Sequence, residues 1–210
     1  MQVVPYLKQS VEWPQSGRHI LAQYDETSIY VYQAYRPPIA RFAVDEQRFG
    51  GEFSYSRMSW IKPNFLWMMY RSGWATKEHQ ECILAIRLRR SFFDELLNSA
   101  IASSFDPDRH ASREQWQRAV SQSDVRLQWD PDHDPTGRPL ARRAIQLGLR
   151  GESLRRFGER DLLGVEDITA FVAEQRAHLS NSLDALLVPA ERVYSPADRA
   201  ATIAAGIGQV

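Results

Sequence analysis

The sequence predicts a single α+β domain with a mixed, largely antiparallel sheet flanked by short helices. Three observations carry that prediction. Strand-like alternation and helix-like periodicity follow one another irregularly along the chain, without the regular repeat of a doubly wound fold. Two neighbouring strand candidates are separated by a short polar turn, the pattern of a hairpin. The 210 residues, 43% hydrophobic and 25% charged, suit one globular domain with its own core.

The elements follow in order. Residues 1–17 hold Pro5, Pro14 and Gly17 without periodicity and read as an irregular lead-in to a domain spanning 18–194. Arg18 to Tyr24 alternates as a strand, Asp25 to Ser28 turns, and Ile29 to Tyr35 is β-branched and aromatic, which together suggest the hairpin. Pro37 and Pro38 suit the first turn of a helix to about Gln47, ended by Gly50-Gly51. Pro63 opens a short apolar helix from Asn64 to Arg71, stopped by Ser72-Gly73. Glu81 to Arg89 alternates as a strand. Ser91 is the expected N-cap of a helix from Phe92 to about Ile101, with Asp94 and Glu95 where the helix dipole favours acids. Ser112 and Gln115 are spaced as a capping box for a helix to Val120. Val125 to Trp129 reads as a strand closed by a loop at 130–135, and Ala144 to Leu149 as another, ended at Gly151. Helices at Ser153–Gly158 and Asp167–His178 follow, and residues 195–210 are expected to form a flexible tail.

Composition narrows the function classes. There is no apolar run of about 18 residues, so no membrane span is expected. The N-terminus lacks a secretory pattern, and the lone Cys82 excludes an internal disulfide or a cysteine zinc site, so a cytoplasmic protein is expected. A net charge of zero argues against coating nucleic acid through the overall field. The 26 basic residues comprise 23 arginines and only Lys8, Lys62 and Lys77, which fits a coding bias and makes Lys62 mildly informative.

Chemistry concentrates in Arg57–Trp74, which holds three of the six tryptophans, two arginines and a lysine. Helical spacing assigns Phe65, Leu66, Met68 and Met69 to the core. That leaves Arg57, Trp60, Lys62, Tyr70, Arg71 and Trp74 as binding candidates, because aromatic faces beside guanidinium groups suit a base with its phosphate. The alternative is core aromatics plus an arginine–carboxylate pair. Gln33, polar between Val31 and Tyr35, could fix a base or ribose, or serve as a structural amide. Three acids and a histidine in Asp130–Asp134 could supply an acid–base pair or simply form a loop; the usual metal-ligand spacings are absent and no metal is predicted. Seven arginines against two glutamates in Arg138–Arg160 form either a solvated face or a phosphate-facing patch.

With these residues laid out, the chain resembles the bacterial and fungal family known as domain of unknown function 4291, across roughly residues 18–178. The resemblance rests on Val31–Tyr35, Arg57–Ala75, Phe105-Asp106-Pro107, Gln128–Pro131 and Ile145–Leu149. Where relatives are expected to carry a glutamate after Trp-Asp-Pro, this chain has Asp132. The family resembles, distantly, the ADP-ribosyltransferase superfamily, which implies a cleft in a split sheet and NAD as substrate.

Three functions follow as expectations. The first is a nucleotide-binding enzyme of ADP-ribosyltransferase type. Arg57 or Arg18 would clamp phosphates, Trp60, Tyr70 or Trp74 would stack on the ring, and Asp130 or Asp132, with Gln33 available, would stabilise ribose charge. The second is a non-catalytic module for a nucleotide or nucleic acid. The third is a protein–protein interaction domain with tryptophan hot spots, its oligomeric state undetermined by sequence.

Overall fold

Alternation at Cys82–Arg89 sorts side chains between two cores. Leu84, Ile86 and Leu88 point into one apolar cluster and Ile83 and Ala85 into another, all fully buried. A strand covered on both faces is the centre of a layered α+β fold. The structure is a computed structural model that describes residues 1–180 and 182–208.

The chain begins with strand β1 (Val3–Pro5), helix α1 (Tyr6–Ser10) and strands β2 (Gly17–Arg18), β3 (Leu21–Ala22) and β4 (Ser28–Tyr35). Helix α2 (Pro37–Glu46), strand β5 (Ser59–Ile61), helix α3 (Phe65–Ser72), strand β6 (Cys82–Arg89) and helix α4 (Arg90–Ser99) follow. Next come strand β7 (Ile101–Ala102), helix α5 (Arg113–Gln122) and the long hairpin of β8 (Val125–His133) and β9 (Pro139–Leu149). Helix α6 (Gly151–Gly158), strand β10 (Leu162–Asp167), helix α7 (Thr169–Arg176), strands β11 (Leu187–Pro189) and β12 (Arg192–Val193) and helix α8 (Arg199–Ala205) complete it.

One sheet is the antiparallel set β10–β6–β4. A second, larger one runs β2–β9–β8–β7, antiparallel at β8/β9 and parallel at both ends, and two small antiparallel pairs, β1–β11 and β3–β12, stand beside these two sheets. Strand β5 also pairs with β9, antiparallel, so the edge of β9 away from β8 carries β2 at one end and β5 at the other. The two sheets meet at a backbone bridge: Tyr32 donates to the Lys62 carbonyl at 2.7 Å, and Lys62 donates back at 3.3 Å. The fold is therefore α+β with a mixed, largely antiparallel sheet set. No helix among the described residues is long and apolar enough to cross a membrane.

Several boundaries differ from expectation, each for a physical reason. Arg18–Tyr24 is two strand fragments bound to different partners, β2 pairing with β9 and β3 with β12. The hairpin shrinks to a bridge between Tyr24 and Ile29. Helix α2 ends at Gln47 (φ 53°), ahead of the glycines, because its side chain bonds Val165 and closes the turn. Helix α4 begins at Arg90, so Ser91 is not its cap, and Asp94 instead accepts from the Tyr194 hydroxyl and Ala197. Strand β8 runs on through Asp130 and Asp132 to His133, where a loop was expected, and strand β10 was missed. The lead-in contains β1 and α1, and the tail contains α8, whose Ala201 and Ala205 are buried in the first core.

Candidate functional site

Within fourteen residues the chain pairs with β9, crosses to β4 at Lys62, turns at Pro63 and enters α3. The helix starts cleanly because two acceptors meet its orphan amides: the Asn64 side chain takes Trp67 N–H at 2.6 Å and Glu191 takes Phe65 N–H at 2.7 Å. Gly73, at φ 60°, closes the other end. This path sets Trp60, Lys62 and Arg71 on the walls of one cleft of about 500 Å³, with Arg57 at its edge. Gln33, Tyr35 and Ser59 form a second wall, and Gln146 of β9 faces them. A neighbouring hollow of about 570 Å³ shares Tyr35, Arg57, Met58, Ser59 and His79, so the two make one trough.

Gln33 is structural. Its amide nitrogen donates to Ser59 Oγ at 2.7 Å and to the Trp60 carbonyl at 3.1 Å, and its oxygen accepts from Tyr35 Oη at 2.8 Å. Both of its donors are spent holding β5 against β4, which takes it out of the catalytic role expected of it. Burial pushes the Tyr35 phenol well up, so it stays neutral within this clamp.

Lys62 is the unusual group. Its side chain is only 4% exposed, yet its ammonium makes no hydrogen bond or ion pair among the described residues. It sits 5.0 Å from the centroid of the Trp67 ring. Burial, then the charge of Arg71, pulls its pKa down from 10.5 to about 7, while Asp130 works the other way. Arg71 donates to Gln80 at 3.2 Å, and Arg57 is exposed with no hydrogen bond or ion pair among the described residues. Trp60 is half-buried and packs on Gly148, where an added Cβ would come within 2.9 Å of its ring.

A register shift between Pro131 and His133 divides the acidic run. Asp130 accepts from Gln128 and Gln146, both at 2.7 Å, and lies in electrostatic reach of Lys62. Asp132 points elsewhere, into a buried pair with Arg142 at 2.6 Å, and burial raises its pKa. Asp134 holds the β8–β9 turn through Thr136 and Arg138. Asp132 is thus a structural acid rather than a catalytic candidate.

Three binding candidates also lie away from the cleft. Tyr70, 45% exposed, stacks on His133 with ring centroids 3.5 Å apart. Trp74 is buried against Phe65 and donates to the Pro135 carbonyl at 3.1 Å. Arg18 lines a separate hollow of about 440 Å³ with Ser103, Asp106 and Trp129. The helix turns about 100° per residue, so a run that looks continuous in sequence is shared between cleft, core and opposite surface. The arginine-rich stretch does not form one patch: Arg142, Arg150, Arg156 and Arg160 each face an acid.

Sequence reasoning passed over Gln146, Gln80 and His79. Gln146 had a signal, since it stands directly across from Gln128 in a strand of otherwise apolar neighbours. His79 and Gln80 sit on an irregular segment and had none.

The sequence profile of the domain of unknown function DUF4291 matches residues 19–194. The chain belongs to this family. No curated protein matches the sequence. In DUF4291 terms, the matched span includes the whole cleft, from Gln33 on β4 to Gln146 on β9.

Proposed function

We propose that the trough binds a phosphate-bearing ligand with a planar ring, a nucleotide, and that the protein acts on it. The observation that carries this reading is the convergence of Arg57, Lys62 and Arg71 around the half-buried face of Trp60. Among the described residues Arg57 and Lys62 make no side-chain hydrogen bond or ion pair, and cations of this kind beside an aromatic face suit phosphate and base together. Trp67 and Trp74 are buried, which favours this reading over a tryptophan hot spot for a protein partner.

The finer reading is ADP-ribosyl transfer from NAD in the same trough. It needs a carboxylate at the ribose, and Asp130 is the acid whose charge Lys62 feels. Both Asp130 oxygens are engaged by glutamines, so the geometry supports nucleotide binding more strongly than this transfer. Thermal unfolding with AMP, ADP, ATP and NAD separates the two. Binding should raise the midpoint by several degrees at ligand concentrations well above Kd, and Arg57→Ala should abolish the shift. If no nucleotide moves the midpoint at millimolar concentration, the proposal is wrong; nicotinamide release from NAD would establish the finer reading.

A further inference from the structure

The chain meets nearly every need for a cation with arginine, and arginine would hold its charge in this cleft at any pH. A lysine stands at position 62 instead, more than nine-tenths buried, lining the cleft and, among the described residues, without an acceptor for its protons. The groups around it pull both ways. The Trp67 ring face, 5.0 Å from the amine, favours the ammonium, while burial, with Met68 of α3 in the lining, and the like charge of Arg71 on the same helix oppose it. Arg57, Gln80 and His79 also line the cleft, and Asp130 on β8 is the acid among the described residues that favours the ammonium, its oxygens already held by Gln128 and Gln146. Burial beside another cation is how an amine is kept neutral and nucleophilic near pH 7.

We propose that Lys62 is a nucleophilic amine that forms an imine with the carbonyl carbon of a phosphate-bearing aldehyde or ketone seated between Arg57 and Arg71. The nitrogen lone pair forms the C–N bond, and the two amine protons pass to the carbonyl oxygen, which departs as water. No oxidant or reductant is needed. The proposal goes beyond nucleotide binding and rests on that reading only for the phosphate at the arginines. The same trough would take a phosphorylated sugar in its open-chain form.

The test uses pyridoxal 5′-phosphate and pyridoxal as probes, with borohydride reduction and peptide mapping of the full chain. Lys8 and Lys77 are exposed and serve as internal controls. At pH 7 the phosphorylated probe should label Lys62 at least about tenfold faster than either, with half-maximal rate near pH 7, because an amine of ordinary pKa is almost wholly protonated there. Lys62→Arg and Lys62→Met should each lose the label while keeping a cooperative unfolding transition. Label confined to Lys8, Lys77 or the N-terminus, or Lys62 reacting only above about pH 9, overturns the imine. Equal labelling of Lys62 by pyridoxal and its phosphate overturns the phosphate seat, and with it the anion reading, while the reactive amine stands.

Discussion

Two charged side chains at opposite ends of the β8–β9 region are equally buried and differently treated. Arg142 is 3% exposed: its guanidinium meets Asp132 at 2.8 and 2.6 Å, donates to the Pro14 carbonyl at 2.6 Å and lies over the Trp13 ring. Lys62 is 4% exposed and has Trp67 beneath it and a cleft in front. A buried charge that is paired and fully hydrogen-bonded is a structural choice. A buried amine with no acceptor weakens the fold, and it persists where a ligand or a reaction uses it.

The sharpest break in that comparison comes from Arg142. Arg142→Ala strands Asp132 without its partner and should cost about 3–5 kcal/mol in denaturant unfolding. Lys62→Met should do the reverse. The folded-state pKa of Lys62 lies near 7 and the unfolded value near 10.5, so between them the unfolded chain binds more protons and stability rises with pH. The methionine variant should therefore be more stable than the parent at pH 6, with the gap closing as pH climbs toward about 10.5. A methionine variant that unfolds more easily than the parent at pH 6 would show instead that the ammonium has found a partner.

Smaller effects refine the picture. Asp130→Asn removes the acid that favours the ammonium, so half-maximal pyridoxal 5′-phosphate labelling of Lys62 should move to lower pH, with a stability cost of about 1 kcal/mol for the disturbed glutamine bonds. Arg57→Ala should leave stability within about 0.5 kcal/mol while abolishing nucleotide-induced stabilisation. Tyr70→Ala, on the far side of α3, should leave that stabilisation intact.

Much of the fold was legible from residues 28–102, where alternation, proline placement and the Asn64 and Gly73 caps act locally. Strand β12 was not, and Arg18–Tyr24 reads as one strand where β2 and β3 pair separately, since two-residue pairings are made by distant partners and leave little period to read. The candidate site was half legible. Arg57, Trp60, Lys62 and Arg71 line one cleft, whereas Tyr70 is carried out of it by the helical turn and Trp74, beyond the Gly73 cap, is buried against Phe65. Asp132 looked catalytic because sequence shows an acid and hides the arginine ten residues away that neutralises it.

The bridge between Tyr32 and Lys62 has a mechanical consequence. It fastens one sheet to the other at the residue that carries the amine, as a pin fastens two jaws. Were the jaws to rock about that pin, the parts of the trough farthest from it would sweep the widest arcs and the amine would hardly travel. A ligand could then be gripped or let go at its periphery while the point of attack stayed fixed.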